Sequence, residues 1–252
     1  MGKVIAILNQ KGGVGKTTTT YNVAAVLAQK GNKVLMIDSD SQSSLTLMTG
    51  HDPLEFSCNL CDAYEGKAIK ESIYKLNIEN LYLLPSSISL AKTEVNLMTT
   101  ILGGEKKLKR SLDLIKNQYD YVLIDCPPAL GLLTINALVA SDYLLTPCET
   151  TNLSTYALDD LKDTLEAVQE VNSKLAWLGV IATRFNKMTK AHKKVLAELK
   201  ENYNVMGVIK GSVAIQDGIE EGLPCVIANS KSDVSKAYIE ITNKIEEEVK
   251  NG

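Results

Sequence analysis

The chemically most informative residues lie between positions 9 and 18, in a glycine-rich segment that reads Asn-Gln-Lys-Gly-Gly-Val-Gly-Lys-Thr-Thr. Its glycines allow backbone conformations that a Cβ disfavours, so successive N–H groups can point into one concavity. Lys16 can reach the β- and γ-phosphates of a nucleotide, and the hydroxyl of Thr17 can ligate Mg²⁺. The segment predicts a phosphate-binding loop made of Lys11, Gly12, Gly13, Val14, Gly15, Lys16, Thr17 and Thr18.

The loop departs from the standard phosphate-binding pattern at its first positions. The standard pattern has glycine six residues before the lysine, whereas this chain has Gln10 there, followed by an additional Lys11. The alternative is a glycine-rich turn that carries lysines by chance. The segment lies between a strand pattern and a helix pattern, however, and this is the context that a phosphate-binding loop requires.

Three aspartates follow apolar runs that have the pattern of buried strands. Asp125 comes directly after the run at 121–124, where a carboxylate would hold a water molecule of bound Mg²⁺. Asp38 and Asp40 follow the run at 34–37, at the sheet edge where ligands of such folds bind. One of them can approach the metal while the other orients the attacking water. The alternatives are a loop cap for Asp125 and a helix cap for Asp40 or Ser41.

Strand and helix patterns that alternate along the chain position these residues. Short apolar runs predict buried strands at 3–8, 34–37, 81–84, 121–124, 143–146 and 178–182, with an edge strand at 205–209. Amphipathic periodicity predicts helices at 17–30, 154–171, 190–202 and 232–250, whereas 50–118 carries only short amphipathic pieces. Strands separated by helices favour an α/β fold with a single-domain, doubly wound, mostly parallel sheet and helices on both faces.

The composition limits the class of protein. The chain has 252 residues, 45% hydrophobic and 23% charged, which suffices for a large core and argues against disorder. Its net charge of -3 excludes a globally basic nucleic-acid-binding protein, so a nucleic-acid contact must come from a local patch. The sequence contains no apolar run near the roughly 18 residues of a membrane span and no signal-peptide pattern, and its five cysteines are typical of reduced intracellular thiols. We expect one cytoplasmic domain, residues 1–252, without a membrane partner.

Taken together, these motifs resemble one family over nearly the whole chain. Segments 11–18, 38–42 and 125–134, supported by 209–226, closely resemble the ParA/Soj-type DNA-partition ATPases, whose phosphate loop is a deviant Walker A motif. The resemblance implies ATP and Mg²⁺ as cofactors and a homodimer in the ATP state. It implies that Lys11 contacts the phosphates of the other subunit, as an arginine finger would. Lys16 and Thr17 match the nucleotide and Mg²⁺ residues, and Asp40 matches the aspartate needed for hydrolysis.

A basic segment at 184–200 is the second functional indication, with a surplus of five positive charges. In an arbitrary protein such a run is most often a solvated helix face. The resemblance instead implies contacts with nonspecific double-stranded DNA, made by Arg184, Lys187, Lys190, Lys193 and Lys194. A weaker cluster is expected to be a plain solvated face and consists of Lys106, Lys107, Lys109 and Arg110.

Further properties follow only from the resemblance. It implies a ParB-like centromere-binding partner that stimulates slow hydrolysis, and association with the nucleoid in the ATP state. Asn186 is a candidate adenine contact, as in MinD-type sites, although an asparagine in a loop needs no such role. The family usually has proline after the aspartate where this chain has Ser41. Since proline would fix φ there, we expect a looser loop, with an effect on hydrolysis more than on nucleotide binding.

Rival functions share the phosphate loop. A MinD-like membrane ATPase needs a basic amphipathic tail, but residues 231–250 carry a net charge of -1, so their apolar stripe predicts a helix packed on the core. An ATPase that positions a protein assembly, or a biosynthetic ligase, is also compatible with the loop. A NifH-like reductase would need well-placed cysteine pairs, and Cys58 with Cys61 is one pair for which we expect burial instead.

Overall fold

Eight strands form one sheet in a computed structural model of the chain, which describes residues 2–151 and 154–251. The strands are β1 (Lys3–Ile7), β2 (Val34–Asp38), β3 (Tyr74–Lys75), β4 (Leu81–Leu84), β5 (Tyr121–Asp125), β6 (Tyr143–Glu149), β7 (Ala176–Phe185) and β8 (Val205–Lys210). Their order across the sheet is β3-β4-β2-β5-β1-β6-β7-β8. All neighbours pair in parallel except β3, which is antiparallel to β4.

Helices cover both faces of this sheet. They are α1 (Lys16–Gln29), α2 (Ser44–Met48), α3 (Leu60–Tyr64), α4 (Leu90–Met98), α5 (Lys107–Asp113), α6 (Leu132–Ala140), α7 (Ser154–Gln169), α8 (Lys190–Asn202), α9 (Ala214–Glu220), α10 (Cys225–Ala228) and α11 (Asp233–Asn251). Successive residues of β1 belong to opposite cores, with Ile5 and Ile7 on the α1 and α11 side and Val4 and Ala6 on the α6 side. Both faces are therefore buried, which explains the continuous apolar runs of the central strands. The predicted doubly wound α/β fold is confirmed.

The register of the central strands determines where the predicted site residues meet. Asp38 at the end of β2 is directly opposite Asp125 at the end of β5. Asp125 is in turn opposite Ile7, the last residue of β1. The loop that follows β1 therefore begins beside these two carboxylates.

Two strands extend beyond their predicted ends. The strand predicted at 143–146 continues to Glu149, and the one predicted at 178–182 continues to Phe185, because β6 and β7 keep pairing as far as Glu149 and Thr183. Polar or charged residues, Glu149 in β6 and Thr183 with Arg184 in β7, interrupt the apolar runs there, so the runs do not reveal the full strands. The two-residue strand β3 was not predicted, since it is too short to show a periodicity.

The last helix packs on the core, as its charge pattern predicts. Its apolar stripe is at most 2% exposed and consists of Val234, Tyr238, Ile241, Ile245 and Val249. The stripe belongs to the same core as α1, and β8 lies beneath it. Within residues 2–151 and 154–251, none of the helices has the length and apolar character to cross a bilayer.

Candidate nucleotide site

The glycine-rich segment forms the turn between β1 and α1. Gly13 and Gly15 have φ values of 72° and 93°, in the left-handed region that residues with a Cβ rarely adopt. Gly15 occupies the N-cap position of α1, so the unpaired N–H groups and the positive end of this helix face the loop. This is the arrangement that binds phosphate at helix N-termini.

Two neighbouring strands hold the loop in place. The Asn9 side chain donates to the carbonyl oxygen of Pro147 in β6 at 2.8 Å and accepts from the Lys11 N–H at 2.9 Å. From β7, the Thr183 hydroxyl donates to the carbonyl oxygen of Val14 at 2.9 Å. Asn9, Val14 and Thr183 are buried, so these bonds fix the loop from below.

An open cavity of about 830 Å³ lies over the loop, a size suited to a nucleotide. On the loop side it is lined by Gly12, Gly13, Val14, Gly15, Lys16, Thr17, Thr18 and Asp40. The opposite wall comes from the end of β8 and from α9, through Ile209, Lys210, Gly211, Ser212, Ile215, Gln216 and Ile219. The cavity is therefore bounded by the phosphate loop and also by residues from the C-terminal part of the chain.

Asp38 and Asp125 are buried together below the cavity. Asp38 Oδ2 accepts from the N–H and hydroxyl of Thr46 at 2.8 and 2.7 Å. Asp125 accepts from Thr20 Oγ1 at 3.2 Å and also from the Thr17 hydroxyl. Burial raises the pKa of Asp38 to about 6, and burial together with the nearby Asp38 raises the pKa of Asp125 to about 8.

Lys16 is the cation nearest to this pair of acids. It is buried, and its Nζ donates to the carbonyl oxygen of Lys11 at 3.3 Å. Burial lowers its pKa, and the charge of Asp125 opposes this effect. When both are ionised, the two carboxylates exceed the positive charge of Lys16, and a divalent cation would compensate this excess, so the residues present fit such an ion. Thr17 and Asp125 are the groups that would hold it, with Asp38 behind them.

Asp40 lines the cavity at the end of the loop after β2. Its Oδ1 accepts from the Gln42 N–H at 2.9 Å, and its carbonyl oxygen accepts from the Ser43 N–H at 2.9 Å and from Ser86 Oγ at 2.6 Å. The cap position of α2 is occupied by Ser43, so neither Asp40 nor Ser41 caps this helix. The carboxylate is therefore available to the cavity. Hydrogen bonds to the Asp40 carbonyl oxygen hold the turn, which contains no proline.

Lys11 occupies a different setting from Lys16. Its Nζ donates to Glu149 Oε2 at 2.6 Å and to Thr151 Oγ1 at 3.0 Å, and its side chain is 36% exposed. Arg184, whose φ is 52°, pairs with the other oxygen of Glu149 at 3.8 Å. Glu149 was not predicted as a site residue. The rule that ligands bind at the carboxyl edge of the sheet could have identified it if the end of β6 had been predicted correctly.

The residues that were predicted to contact nucleic acid or adenine lie in different places in the structure. Arg184 lines the cavity, apart from the lysines of α8. Asn186 is not among the lining residues; its Oδ1 accepts from the Met188 N–H at 2.9 Å, and its adenine contact stays a prediction. The exposed lysines near or on α8 are Lys187, Lys190, Lys193, Lys194 and Lys200. Val195 and Leu199 bury the other face of this helix.

Cys58 and Cys61 lie at the start of α3, away from this site. Cys61 is buried, its thiol hydrogen-bonds to Thr93, and burial raises its pKa. Asn59, between the two cysteines, caps α3 by accepting from the Cys61 N–H at 3.0 Å. The expected burial is thus found for Cys61, whereas Cys58 is only partly buried.

The substitution Asp125→Asn should stabilise the nucleotide-free, metal-free protein at pH 8. Because the folded-state pKa of Asp125 is raised, the wild-type protein loses stability as the pH rises from the unfolded-state value of about 4 towards 8. The variant lacks this loss, so we expect a gain of at least about 1 kcal/mol at pH 8 that disappears near pH 4. Urea unfolding across this pH range in EDTA measures it. Glu201→Gln, an exposed carboxylate, is the control. A pH-independent difference would contradict the assignment.

The comparison with known proteins agrees with this geometry. A family described as AAA domain matches residues 2–177. The sporulation initiation inhibitor protein Soj of Bacillus subtilis is 36% identical over 250 residues, which cover 97% of this chain and 98% of that protein. The chromosome-partitioning ATPase Soj of Treponema pallidum is 31% identical, with 97% of both chains covered.

A solved structure extends the similarity to three dimensions. Cobyrinic acid a,c-diamide synthase from Mycobacterium smegmatis, with bound ADP and magnesium, superimposes with a TM-score of 0.85 at 31% identity. The match covers 100% of this chain and 97% of that chain. The family match spans well over half of the chain, and the relatives align along nearly all of it. The chain therefore belongs to the AAA-domain family and, within it, to the ParA/Soj-type ATPases of the ParA/MinD superfamily.

Proposed function

We propose that the chain is a partition ATPase that binds ATP with Mg²⁺, dimerises in the ATP state, binds nonspecific double-stranded DNA and hydrolyses ATP slowly. A ParB-like centromere-binding protein stimulates the hydrolysis, and the cargo is plasmid or chromosomal DNA. The Treponema relative is named as a chromosome-partitioning ATPase, which supports the partition role. The synthase structure holds ADP and magnesium on the same fold, which supports the cofactors.

The observation that carries the proposal is the different placement of the two loop lysines. Lys16 is buried under the cavity and can neutralise phosphates bound to its own subunit. Lys11 is not among the residues that line the cavity, and it is bonded instead to Glu149 and Thr151. A cation in this position is suited to contact phosphates on a second subunit once it leaves Glu149. Such a contact would make hydrolysis depend on dimerisation, because phosphoryl transfer relies on positioning and charge stabilisation.

Different residues would bind Mg²⁺ and orient the attacking water. When bound, Mg²⁺ would neutralise charge on the β- and γ-phosphates. Thr17 and Asp125 provide the oxygen atoms for it, and the Thr46 contacts keep Asp38 fixed behind them. Asp40 is the only carboxylate among the lining residues in the described part of the chain. It is therefore our candidate for orienting the water.

The alternative function is that of a MinD-like or cargo-positioning ATPase, which acts on a membrane or on a protein assembly instead of DNA. The burial of the apolar stripe of α11 disfavours the membrane version, since this face is already packed against the core. The exposed lysines of α8 favour DNA, and we propose association with the nucleoid in the ATP state. If the cargo is a protein assembly, the chain should hydrolyse ATP but should not bind DNA in the presence of ATP.

Lys16→Ala and Lys11→Ala should have different effects. Lys16→Ala removes the buried phosphate cation, so ATP affinity should fall at least about 100-fold. Lys11→Ala should bind ATP within about threefold of wild type as a monomer but neither dimerise nor hydrolyse it, because the trans contact is missing. Calorimetry measures affinity, and light scattering after gel filtration measures mass. An equal loss of affinity in both variants contradicts the trans role.

Asp40→Ala should retain ATP and accumulate as an ATP-bound dimer, since the groups that bind phosphate remain while the water loses its orienting carboxylate. We expect turnover to fall at least about 100-fold, at the lower end of what positioned general acids and bases contribute. Phosphate release and the dimer fraction are measured on the same sample. Ser41→Ala, in the same turn, is the matched control. Wild-type turnover in Asp40→Ala would transfer the role to another group.

DNA binding should require ATP and the α8 lysines. A dimer can place two basic faces along one duplex, and linked sites gain affinity without new contacts. The double substitution Lys193→Glu and Lys194→Glu should weaken binding to any sequence and flatten the slope of log K against log salt by roughly 0.9 per lost phosphate contact. ATP-driven dimerisation should persist.

Fluorescence anisotropy on two unrelated duplexes, with ATP or ADP and across a salt series, makes this measurement. The double substitution Lys106→Glu and Lys107→Glu, which changes the charge equally in the other basic cluster, is the control. Three results would each overturn the DNA assignment: equal affinity with ATP and ADP, a strong preference for one duplex, or an equal effect of the two double substitutions.

A further inference from the structure

Helix α4 carries an exposed apolar stripe in addition to the face that it buries. Leu90, Thr93 and Leu97 face the interior. The exposed side, which we call the α4 stripe, consists of Ala91, Val95 and Met98 on the helix and of Ile88 in the turn just before it. Its three large side chains are between 58% and 77% exposed. The stripe therefore contributes nothing to the packing of its own chain.

Exposed apolar side chains are concentrated around this stripe. Of the 14 large hydrophobic residues that are exposed in the described part of the chain, five lie within residues 88–102. Scattered exposed apolar residues are ordinary, but a contiguous group marks a surface that another molecule covers.

The spacing within the stripe fits a second helix. Its members follow one another at intervals of three, four and three residues. This is the repeat through which helices pair in coiled coils and through which amphipathic helices bind to complementary surfaces. An extended peptide would instead require an unpaired strand edge, which α4 does not offer.

The charges beside the stripe select the chemistry of its partner. Lys92 is one helical turn from both Ile88 and Val95, and it forms no ion pair with any residue in 2–151 or 154–251. Glu94, the acid of α4, turns inward and accepts from the Leu133 N–H at 3.4 Å. The outer surface of α4 is thus basic, although the chain has a net charge of -3.

A positive border favours a helix with acidic flanks over a second copy of this chain. Two α4 helices packed against each other about a twofold axis would bring the Lys92 residues towards each other. Like charges that face each other across a helix pair are unfavourable, and opposite charges determine the choice of partner.

The N-terminal end of α4 is bonded to the loop that carries Asp40. Ser86 Oγ donates to the carbonyl oxygen of Asp40 at 2.6 Å. The Ser86 N–H donates to Thr46 Oγ1 at 3.2 Å, and this hydroxyl donates to Asp38. A movement of the Asp40 turn is therefore transmitted directly to the segment that starts the α4 stripe.

The middle of α4 is bonded to the segment that follows Asp125. Glu94 meets the N-terminal end of α6 at Leu133, and a Cβ placed on Gly131 would lie 2.0 Å from Glu94 Oε1. Glycine at 131 thus leaves the space that the Glu94 carboxylate occupies. Through these bonds α4 contacts both chain segments that border the phosphate end of the cavity.

We infer that the α4 stripe and Lys92 form a docking site for an amphipathic helix with acidic flanks, supplied by a regulatory partner protein, and that its occupancy is coupled to the nucleotide state. The coupling rests on the proposed function, because it requires ATP to rearrange the Asp40 turn or the segment after Asp125. Since coupling is reciprocal, a helix that binds the ATP state better also stabilises that state.

A designed helical peptide of about 18 residues, with leucines at the same spacing and glutamates beside them, is the probe, and its twin carries lysines at the glutamate positions. Fluorescence anisotropy should show that the acidic peptide binds at least about tenfold more tightly than its twin. Val95→Ser with Met98→Gln should weaken binding of the acidic peptide at least about tenfold, and Lys92→Glu should reduce the preference between the peptides. Leu114→Gln, an exposed leucine on another surface, is the matched control.

The coupling is tested on the same samples with and without ATP and Mg²⁺. The acidic peptide should bind with affinities that differ at least about threefold between the two states, and Glu94→Ala should remove most of that difference. Equal binding of the two peptides, or an unaffected Val95→Ser/Met98→Gln variant, overturns the docking site. Loss of ATP-driven dimerisation in that variant would identify the stripe as a self-interface and also overturn it.

The docking site and the proposed function fail in different ways. If the wild-type protein never dimerises with ATP, the proposed function is contradicted. Peptide binding measured without nucleotide still shows whether the docking site exists. A wild-type protein that dimerises with ATP but binds the peptide equally in both states keeps the proposed function and overturns the coupling.

Discussion

Two carboxylates buried side by side, Asp38 and Asp125, impose the main constraint on this structure. The parallel register of β2 and β5 places them opposite each other, and burial opposes the ionised form of both. Two helices supply the cation and the hydrogen-bond donors that these carboxylates require. The first turns of α1 contribute Lys16 and Thr20, and α2 contributes Thr46. The start of α1, which carries the candidate phosphate-binding and metal-binding residues, therefore also helps to offset the cost of burying the two carboxylates.

Much of this arrangement could be predicted from the sequence because its signals are local. The glycine spacing, the lysine after it and the aspartates at the ends of apolar runs are all visible within about ten residues each. The fold class followed from the alternation of strands and helices, and the edge position of β8 was predicted correctly. The helix predicted at 190–202 has the same bounds as α8.

What could not be predicted depends on contacts between distant parts of the chain. Glu149 meets Lys11 across 138 residues, and the meeting depends on how far β6 continues past its apolar run. The cavity wall at 209–219 lies in a segment that supports the family resemblance, but no residue pattern within it predicts a place beside the phosphate loop. Arg184 belongs to a basic run in sequence, but the end of β7 turns it towards Glu149, so its neighbours along the chain do not reveal its setting.

The turn after Asp38 shows how one departure from a family pattern is accommodated. Ser41 stands where relatives have proline, and the sequence predicts a loose turn. Hydrogen bonds from Ser43 and Ser86 to the Asp40 carbonyl oxygen hold the turn instead, while Ser43 takes a φ of 55°. A ring would restrict φ permanently, whereas hydrogen bonds can break and form again. The Asp40 turn is therefore ordered without being rigid by covalent structure.

The two ends of the sheet limit how copies of this protein can associate. One edge is β3, which has two residues, and the other is β8, whose pairing with β7 is interrupted by register shifts. Natural proteins use short or bulged edge strands to prevent pairing with strands of other molecules. Continuation of the sheet from one molecule to the next is thus disfavoured at both ends. Ordered polymers of this chain would have to be built from helix and loop surfaces, and they would lack the cross-β spacing of about 4.7 Å in fibre diffraction.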